Sequence, residues 1–142
     1  MNITQLPFNK LIGLELAGPD NNFMVGLPEG PHYLNHLGTV HASALLAVAE
    51  AGSGEFLLRN FGHLDNLIPV VRKIEARFRK PAHGTVTARC ILDNGALDSW
   101  IADLDSRGRV AAAIPVDVID ATGNVVLSAT VEWLVAKGTG EA

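Results

Sequence analysis

The sequence predicts an α+β domain in which an antiparallel sheet wraps around one long helix. Three observations predict it: an Ala-rich, Pro-free segment over residues 39–59, alternating apolar runs on both sides of it, and turn signals between those runs. With 142 residues, the chain has the length of a single domain. We expect one domain over residues 1–137 and a frayed tail over residues 138–142.

The alternating runs predict six strands and the helical spacings predict two helices. Gly18-Pro19-Asp20-Asn21 is a turn signal between the first two runs, and a loop over residues 28–38 precedes the long helix. Residues 97–104 have helical spacing, with Asn94 as N-cap and Gly108 as stop. The predicted order is β-β-α-β-β-α-β-β, with strands at 12–16, 23–27, 74–78, 86–92, 110–118 and 125–135.

The composition excludes a disordered chain and favours self-association. The chain is 48% hydrophobic and only 18% charged, whereas a typical soluble domain has about 25% charged residues. Its mean hydropathy is +0.23. In a small domain most residues lie near the surface, so a chain this apolar exposes hydrophobic surface that a second subunit can bury. We therefore expect a homodimer or a dimer of dimers.

Other bulk properties narrow the class of protein. A net charge of -4 and a pI near 5.6 give no indication of nucleic-acid binding. The single cysteine, Cys90, excludes an internal disulfide and a cysteine-based zinc site, and we expect no metal. The first residues lack the pattern of a targeting segment, and the charge-free stretch 34–49 is too short to span a bilayer. We expect a cytoplasmic protein with no membrane partner.

Glu50 is the strongest candidate for a catalytic side chain. It is the only charged residue between Ala42 and Gly54. A lone carboxylate in an apolar helix loses hydration unless it is paired or used, and burial raises its pKa toward the range of a general base. The alternative is that Glu50 points into solvent from a half-exposed helix.

Polar residues cluster just before the predicted helix. Asn35, His36, Gly38 and His41 precede a helix N-terminus, where unpaired N–H groups can bind developing negative charge. In the alternative interpretation Asn35 is a turn residue and His41 or Thr39 caps the helix.

The spacing within this segment predicts a site shared between subunits. Ala42 and Glu50 are eight residues apart, about 12 Å along a helix axis. His41 and Glu50 lie on roughly opposite sides of the helix at about 100° per residue. One carbonyl group cannot easily touch both, so Glu50 and the helix N-terminus would come from different subunits, with the two helices antiparallel.

A basic segment follows the long helix. Residues 72–80 hold five of the 11 basic residues. A solvated strand face is one interpretation. The other interpretation is a binding site for an anionic group such as a nucleotide phosphate.

The stretch from Asn35 to Glu50 resembles the signature of PaaI-like hotdog-fold thioesterases. That family shows Asn, then Gly, then His-Gly-Gly and an acidic residue nine positions after the His, and this chain matches at Asn35, Gly38, His41 and Glu50. The later stretch over residues 78–84 and the element order are similar too. The resemblance implies a hotdog fold, and the segment 97–104 is similar to an insertion in an uncharacterised branch of that superfamily.

Several roles follow from the resemblance. Glu50 would be general base or nucleophile, the Ala42 N–H would polarise the thioester carbonyl, and Asn35 and His41 would orient substrate or water. Sites of this family lie across a dimer interface. Coenzyme A (CoA) would enter as part of the substrate rather than as a cofactor, and two basic residues of the strand end, Arg79 and Lys80, would contact its phosphates.

Three functions remain open at this point. The first is hydrolysis of an acyl-CoA or other acyl thioester. The second is dehydration or hydration of a β-hydroxyacyl thioester, in which His36 would act with Glu50. The third is non-catalytic binding of an acyl thioester, which is suggested by Ala42-Ser43 in place of Gly-Gly. The chain also departs from the family at Val71-Arg72, where the family has a Ser or Thr.

Overall fold

The computed structural model describes residues 1–18, 22–61 and 66–138. In these ranges the helices are α1 (Pro7–Leu11), α2 (Ala42–Phe61) and α3 (Asn94–Arg107), with 3₁₀ turns at Ile3–Gln5 and Pro31–Tyr33. The strands are β1 (Glu15–Leu16), β2 (Phe23–Leu27), β3 (Leu67–Phe78), β4 (Val86–Arg89), β5 (Arg109–Asp120) and β6 (Val125–Lys137).

All six strands form one antiparallel sheet in the order β1-β2-β4-β5-β6-β3. The helix α2 packs mainly against β2, β4 and β5, so the sheet curves around it. The predicted α+β class and the order of the main elements are confirmed. The turn over residues 18–21 and the frayed tail fall largely outside the described residues, since 19–21 and 139–142 are not among them.

The long hairpin of β5 and β6 follows the predicted alternation. Even-numbered residues of β5 from Val110 to Asp120 are buried, and the odd-numbered residues between them are exposed or half-buried. Asp120 begins the connecting loop, and its carboxylate accepts hydrogen bonds from the Thr122 hydroxyl and from the N–H groups of His83, Thr122 and Asn124. Burial alone would raise the pKa of Asp120, but these hydrogen bonds outweigh it and lower the pKa.

The beginning of the chain differs from the prediction. The expected strand over residues 12–16 is wrong for its first part, because Pro7 starts a short helix that is capped at Ile12. The strand itself covers only Glu15 and Leu16. Proline is favoured in the first turn of a helix, where its missing N–H has no partner to lose. The alternation of apolar residues over 12–16 favoured a strand and outweighed the helix signal of Pro7 in the prediction.

Two helix boundaries also differ from the prediction. The helix α2 begins at Ala42 rather than at residue 39. The N-cap of α3 is Asp93 rather than Asn94, since the Asp93 carboxylate accepts a hydrogen bond from the Ala96 N–H at 2.8 Å. Asp and Asn serve equally well as N-caps, so the sequence could not distinguish them. The stop at Gly108 is confirmed, with a φ of +76°.

Two small residues fix the position of α2 on the sheet. A Cβ atom at Gly52 would lie less than 3.0 Å from the Ala88 methyl group, so only glycine permits this close approach to β4. Ser53 is fully buried and accepts a hydrogen bond from the Trp133 indole at 2.8 Å. Its hydroxyl donates to the Glu50 carbonyl at 2.6 Å. Because these contacts flank Glu50, they determine where its side chain leaves the helix.

The strand β3 is an edge of the sheet and is exposed along nearly its whole length. Ile74 pairs with Val131 and Phe78 pairs with Leu127, and both partners on β6 are fully buried. Cross-strand partners share a face of the sheet, so Ile74 and Phe78 lie on the side of α2. They are nevertheless 40% and 48% exposed. The described residues of a single chain therefore leave the apolar side chains at this end of the sheet uncovered.

Candidate active site

The loop before α2 is built by the side chain of Asn35. Its amide nitrogen donates to the Thr39 hydroxyl at 2.9 Å, and its amide oxygen accepts from the N–H groups of Leu37 and Thr39. Gly38 supplies a φ of +76° and donates its N–H to the Asn35 carbonyl. Asn35 therefore acts as a turn residue, which is the alternative that the sequence left open.

His41 caps the N-terminus of α2. Its ring Nδ1 accepts a hydrogen bond from the Ser43 N–H at 2.9 Å, and its carbonyl accepts from the N–H groups of Ala44 and Leu45. Its own N–H donates to the Tyr33 carbonyl at 2.8 Å. An accepting Nδ1 places the proton of the neutral ring on Nε2, which faces away from the cap.

One N–H group at this helix start is left open. His41, Ser43, Ala44 and Leu45 all donate their backbone N–H groups, whereas the N–H of Ala42 donates to no group among the described residues. The residue is exposed. An open N–H at the positive end of a twenty-residue helix is a donor for an oxygen that gains negative charge.

A surface cleft of about 330 Å³ brings four predicted site residues together. These residues are Asn35 and Ala42, from the loop and the start of α2, and Arg79 and Lys80, which follow β3. The other residues that line the cleft are Thr39, Val40, Leu45, Phe78, Pro81 and Ala82. Loop, helix N-terminus and basic strand end thus form a single concave surface.

Glu50 lies outside this cleft, two turns further along α2. Its side chain is half-buried, and desolvation raises the pKa of its carboxyl group. Among the described residues its carboxylate takes part in no salt bridge and accepts no hydrogen bond. Within one chain, the carboxylate and the open Ala42 N–H therefore do not meet.

The other predicted residues are dispersed. His36 and Gly38 are exposed and do not line this cleft. His41 lines a second, mainly apolar cleft of about 320 Å³. Phe8 and Ile12 from the α1 region also line it, and the sequence analysis missed them. The sequence does contain a pattern that predicts their position: Phe8, Leu11 and Ile12 follow Pro7 at the spacing of one face of a short helix.

A model for a domain of unknown function, DUF4442, matches residues 13–135. The chain belongs to the DUF4442 family. The DUF4442 match covers β1 through most of β6, and with them the loop, α2 and the basic strand end. A search of curated proteins gave no match.

The DUF4442 chain is similar in fold to several solved structures. One is a Pseudomonas aeruginosa protein of unknown function described as a probable thioesterase, with a TM-score of 0.81, 23% identity and coverage of 95% and 91% of the two chains. A Haemophilus influenzae thioesterase has a TM-score of 0.68, 12% identity and coverage of 98% and 89%. A Bacillus halodurans protein solved with CoA has a TM-score of 0.68, 19% identity and coverage of 90% and 74%. These likenesses show that the chain has the hotdog fold.

None of the helices in the described part of the DUF4442 chain has the length and apolarity that a membrane span requires. Within the same residues, His, Cys, Asp and Glu side chains form no group of three or more that could hold a metal ion.

Proposed function

We propose that this chain hydrolyses acyl thioesters at a site formed across a homodimer interface. The open Ala42 N–H would bind the thioester carbonyl oxygen of a substrate in the 330 Å³ cleft. Glu50 of the other subunit would activate water as general base or attack the carbonyl carbon directly. The observation that carries the proposal is the unpaired, half-buried Glu50 carboxylate with its raised pKa. Because this carboxylate forms no ion pair or hydrogen bond with the described residues, it does not stabilise the fold, and a catalytic role accounts for its place in the helix.

The outer edge of β3 pairs with no other strand of the described residues, and this free edge supports the dimer. Its twelve residues offer free backbone groups to a second β3, and a two-fold axis makes both the paired strands and the two α2 helices antiparallel. The exposed side chains of Ile74 and Phe78 would be covered in such a dimer. The partner helix would then bring the middle of α2, where Glu50 lies, toward the N-terminus of the first.

Thiol release from a panel of short, medium, long and aromatic acyl-CoA esters tests the activity. Glu50→Gln keeps the shape of the side chain and removes the base, so we expect kcat to fall by about 10²- to 10⁴-fold. Glu55→Gln is the matched control, since Glu55 lies on the same helix but pairs with Arg59 at 2.9 Å. Undiminished hydrolysis by Glu50→Gln on the best substrate would refute the role of Glu50. Release of free thiol also distinguishes hydrolysis from dehydration.

Ala42→Pro tests the N–H itself. Proline at the first helical position removes this unpaired N–H and is tolerated there, so the variant should fold and lose activity.

Mixing two inactive variants tests the shared site. In a 1:1 mixture of Glu50→Gln and Ala42→Pro chains, half of the dimers are mixed, and each mixed dimer holds one intact site. Exchange of subunits should therefore restore about a quarter of the wild-type activity. If both groups act within one chain, the mixture stays inactive.

A further inference from the structure

The mainly apolar cleft of about 320 Å³ lies between α1 and the first turns of α2. Phe8 and Ile12 line it from the α1 region, and Ala44 and Ala47 line it from α2. Of the described residues that line this cleft, none is Asp, Glu, Lys or Arg, and the polar ones are two histidines and Ser43. Such a surface suits a hydrocarbon group rather than a charged one.

This apolar cleft adjoins the open N–H of Ala42. His41 and Ser43, the two neighbours of Ala42 in the chain, line the apolar cleft, whereas Ala42 itself lines the cleft of about 330 Å³. The first turn of α2 thus separates two concave surfaces. A thioester has two arms, the thiol and the acyl group, which leave the carbonyl carbon in different directions. A carbonyl group held at the Ala42 N–H can therefore place one arm in each cleft.

A buried tyrosine holds α1 at its distance from α2. The side chain of Tyr33 is 8% exposed, and its hydroxyl donates to the Ile12 carbonyl at 2.6 Å. The carbonyl of the same residue accepts from the His41 N–H at 2.8 Å, so Tyr33 contacts both the end of α1 and the start of α2. Tyr33 therefore sets the separation of the two helices, and with it the width of the apolar cleft.

Two large apolar side chains at the cleft are largely exposed. Phe8 is 63% exposed and Leu34 is 43% exposed. Exposed apolar side chains that border an apolar cleft mark a binding site for an apolar group, which would cover them. Phe8 also precedes residue 13, where the DUF4442 match begins, so this wall of the cleft lies outside the region that the family model describes.

We propose that the apolar cleft binds the acyl group of the substrate, and that Phe8 and Ala47 determine the size of the acyl group that fits. The inference rests on the proposed thioester hydrolysis and adds the specificity of that site. Phe8 forms the outer wall, and the short side chain of Ala47 leaves room at the end of the cleft that is farthest from Ala42.

The dimensions of the cleft limit the length of the acyl chain. Its lining residues at the start of α2 run from His41 to Ala47, about 9 Å along the helix axis. With carbon–carbon bonds of about 1.5 Å, an extended chain advances roughly 1.3 Å per atom, so about seven carbon atoms span this length. The volume of about 320 Å³ is also at the lower end of the range of small-molecule pockets. The cleft therefore favours short and medium acyl chains over long ones.

Binding of thioethers tests the cleft without turnover. S-Alkyl derivatives of N-acetylcysteamine carry an alkyl chain on sulfur but have no carbonyl group, so they cannot be hydrolysed and do not need the Ala42 N–H. In calorimetric titration of the wild type, we expect the Kd to fall about fourfold for each CH₂ group added from ethyl to hexyl, because each group buries apolar surface. Beyond about octyl the Kd should level off, since the chain then extends past the cleft.

Two variants change the cleft in opposite ways. Ala47→Leu fills its far end, so the Kd of the hexyl thioether should rise about tenfold or more, while that of the ethyl thioether should change little. Phe8→Ala removes the outer wall, and the Kd of the hexyl thioether should again rise about tenfold, because the contact with the ring is lost. Leu11→Ala is the matched control for Phe8→Ala, since Leu11 lies on the same short helix, is 82% exposed and does not line the cleft. Its Kd values should equal those of the wild type.

A Kd that does not depend on chain length in the wild type would overturn the proposal. So would equal Kd values for the hexyl thioether in wild type, Phe8→Ala and Leu11→Ala. Sedimentation of the same proteins addresses the other occupant of the cleft, a second subunit. If Phe8→Ala dissociates the dimer but keeps the chain-length dependence of the wild type, Phe8 is a subunit contact and the proposal is wrong.

The outcome of the titration is separate from that of the proposed activity, because thioethers report binding whether or not thioesters are hydrolysed. A chain-length dependence in a wild type that releases no thiol from any thioester would support the role of the cleft and refute the hydrolysis alone. Thiol release with no chain-length dependence of binding would refute the role of the cleft alone.

Discussion

Gly52→Ala is expected to push α2 away from the sheet and to lower both stability and activity. The new methyl group would lie less than 3.0 Å from that of Ala88, whereas carbon atoms rest about 3.5–4.0 Å apart. Helix and strand must therefore separate by at least about 1 Å. Overpacking of this kind costs about 1–3 kcal/mol, and the better helix propensity of alanine returns about 1 kcal/mol. The net loss should therefore be up to about 2 kcal/mol.

Urea unfolding and thiol release measure the two effects. Glu50 lies two residues before Gly52, and a misplacement of about 1 Å can cost about 100-fold in rate. Gly54→Ala is the matched control, because the nearest atom to its new methyl group is the flexible end of Ile3 at 3.2 Å. The double variant Gly52→Ala with Ala88→Gly removes the clash and should recover part of the lost stability. A Gly52→Ala protein as stable and as active as wild type would refute the close-packing argument.

Three further predictions concern titratable groups. Because burial raises the pKa of Glu50, ionisation of this side chain disfavours the folded state at neutral pH. Glu50→Gln should therefore melt at a higher temperature than wild type at pH 7. The difference in melting temperature should vanish below about pH 4, where Glu50 is protonated in both the folded and the unfolded state. The pKa of Asp120 is lowered, so its contribution is present above about pH 4 and is lost as the pH falls further. Asp120→Ala should cost about 2 kcal/mol in urea unfolding at pH 7 and less at pH 3. Burial raises the pKa of the Cys90 thiol to about 12, so the native protein should resist thiol reagents at pH 8 and react fully when unfolded.

The strands of the C-terminal half could be predicted because each has one buried and one outward face. In β5 and β6 the apolar residues recur every second position, and the turn at Gly123 separates them clearly. The strand β2 is less regular, since Met24 and Val25 are both buried next to a register shift. A β-bulge of this kind has no signal in an alternating pattern.

The candidate site could be predicted only in part. The sequence singled out Glu50 and placed it away from the helix N-terminus, because eight helical residues have a fixed length. It could not decide whether Asn35 builds the loop or faces a ligand, since both roles use the same amide. Nor could it find the pairing of Arg79 with Ser128, which are 49 residues apart. Contacts of that kind depend on which strands become neighbours.

The strand order has a consequence for synthesis on the ribosome. The sheet partner of β3 is β6, which is the last strand to be made. Until that strand emerges, β3 exposes both of its backbone edges, and β5 lacks one of its two neighbours in the sheet. The nascent chain therefore cannot complete its sheet before residue 137 has left the ribosome. We expect that deletion of β6 abolishes folding of the whole domain.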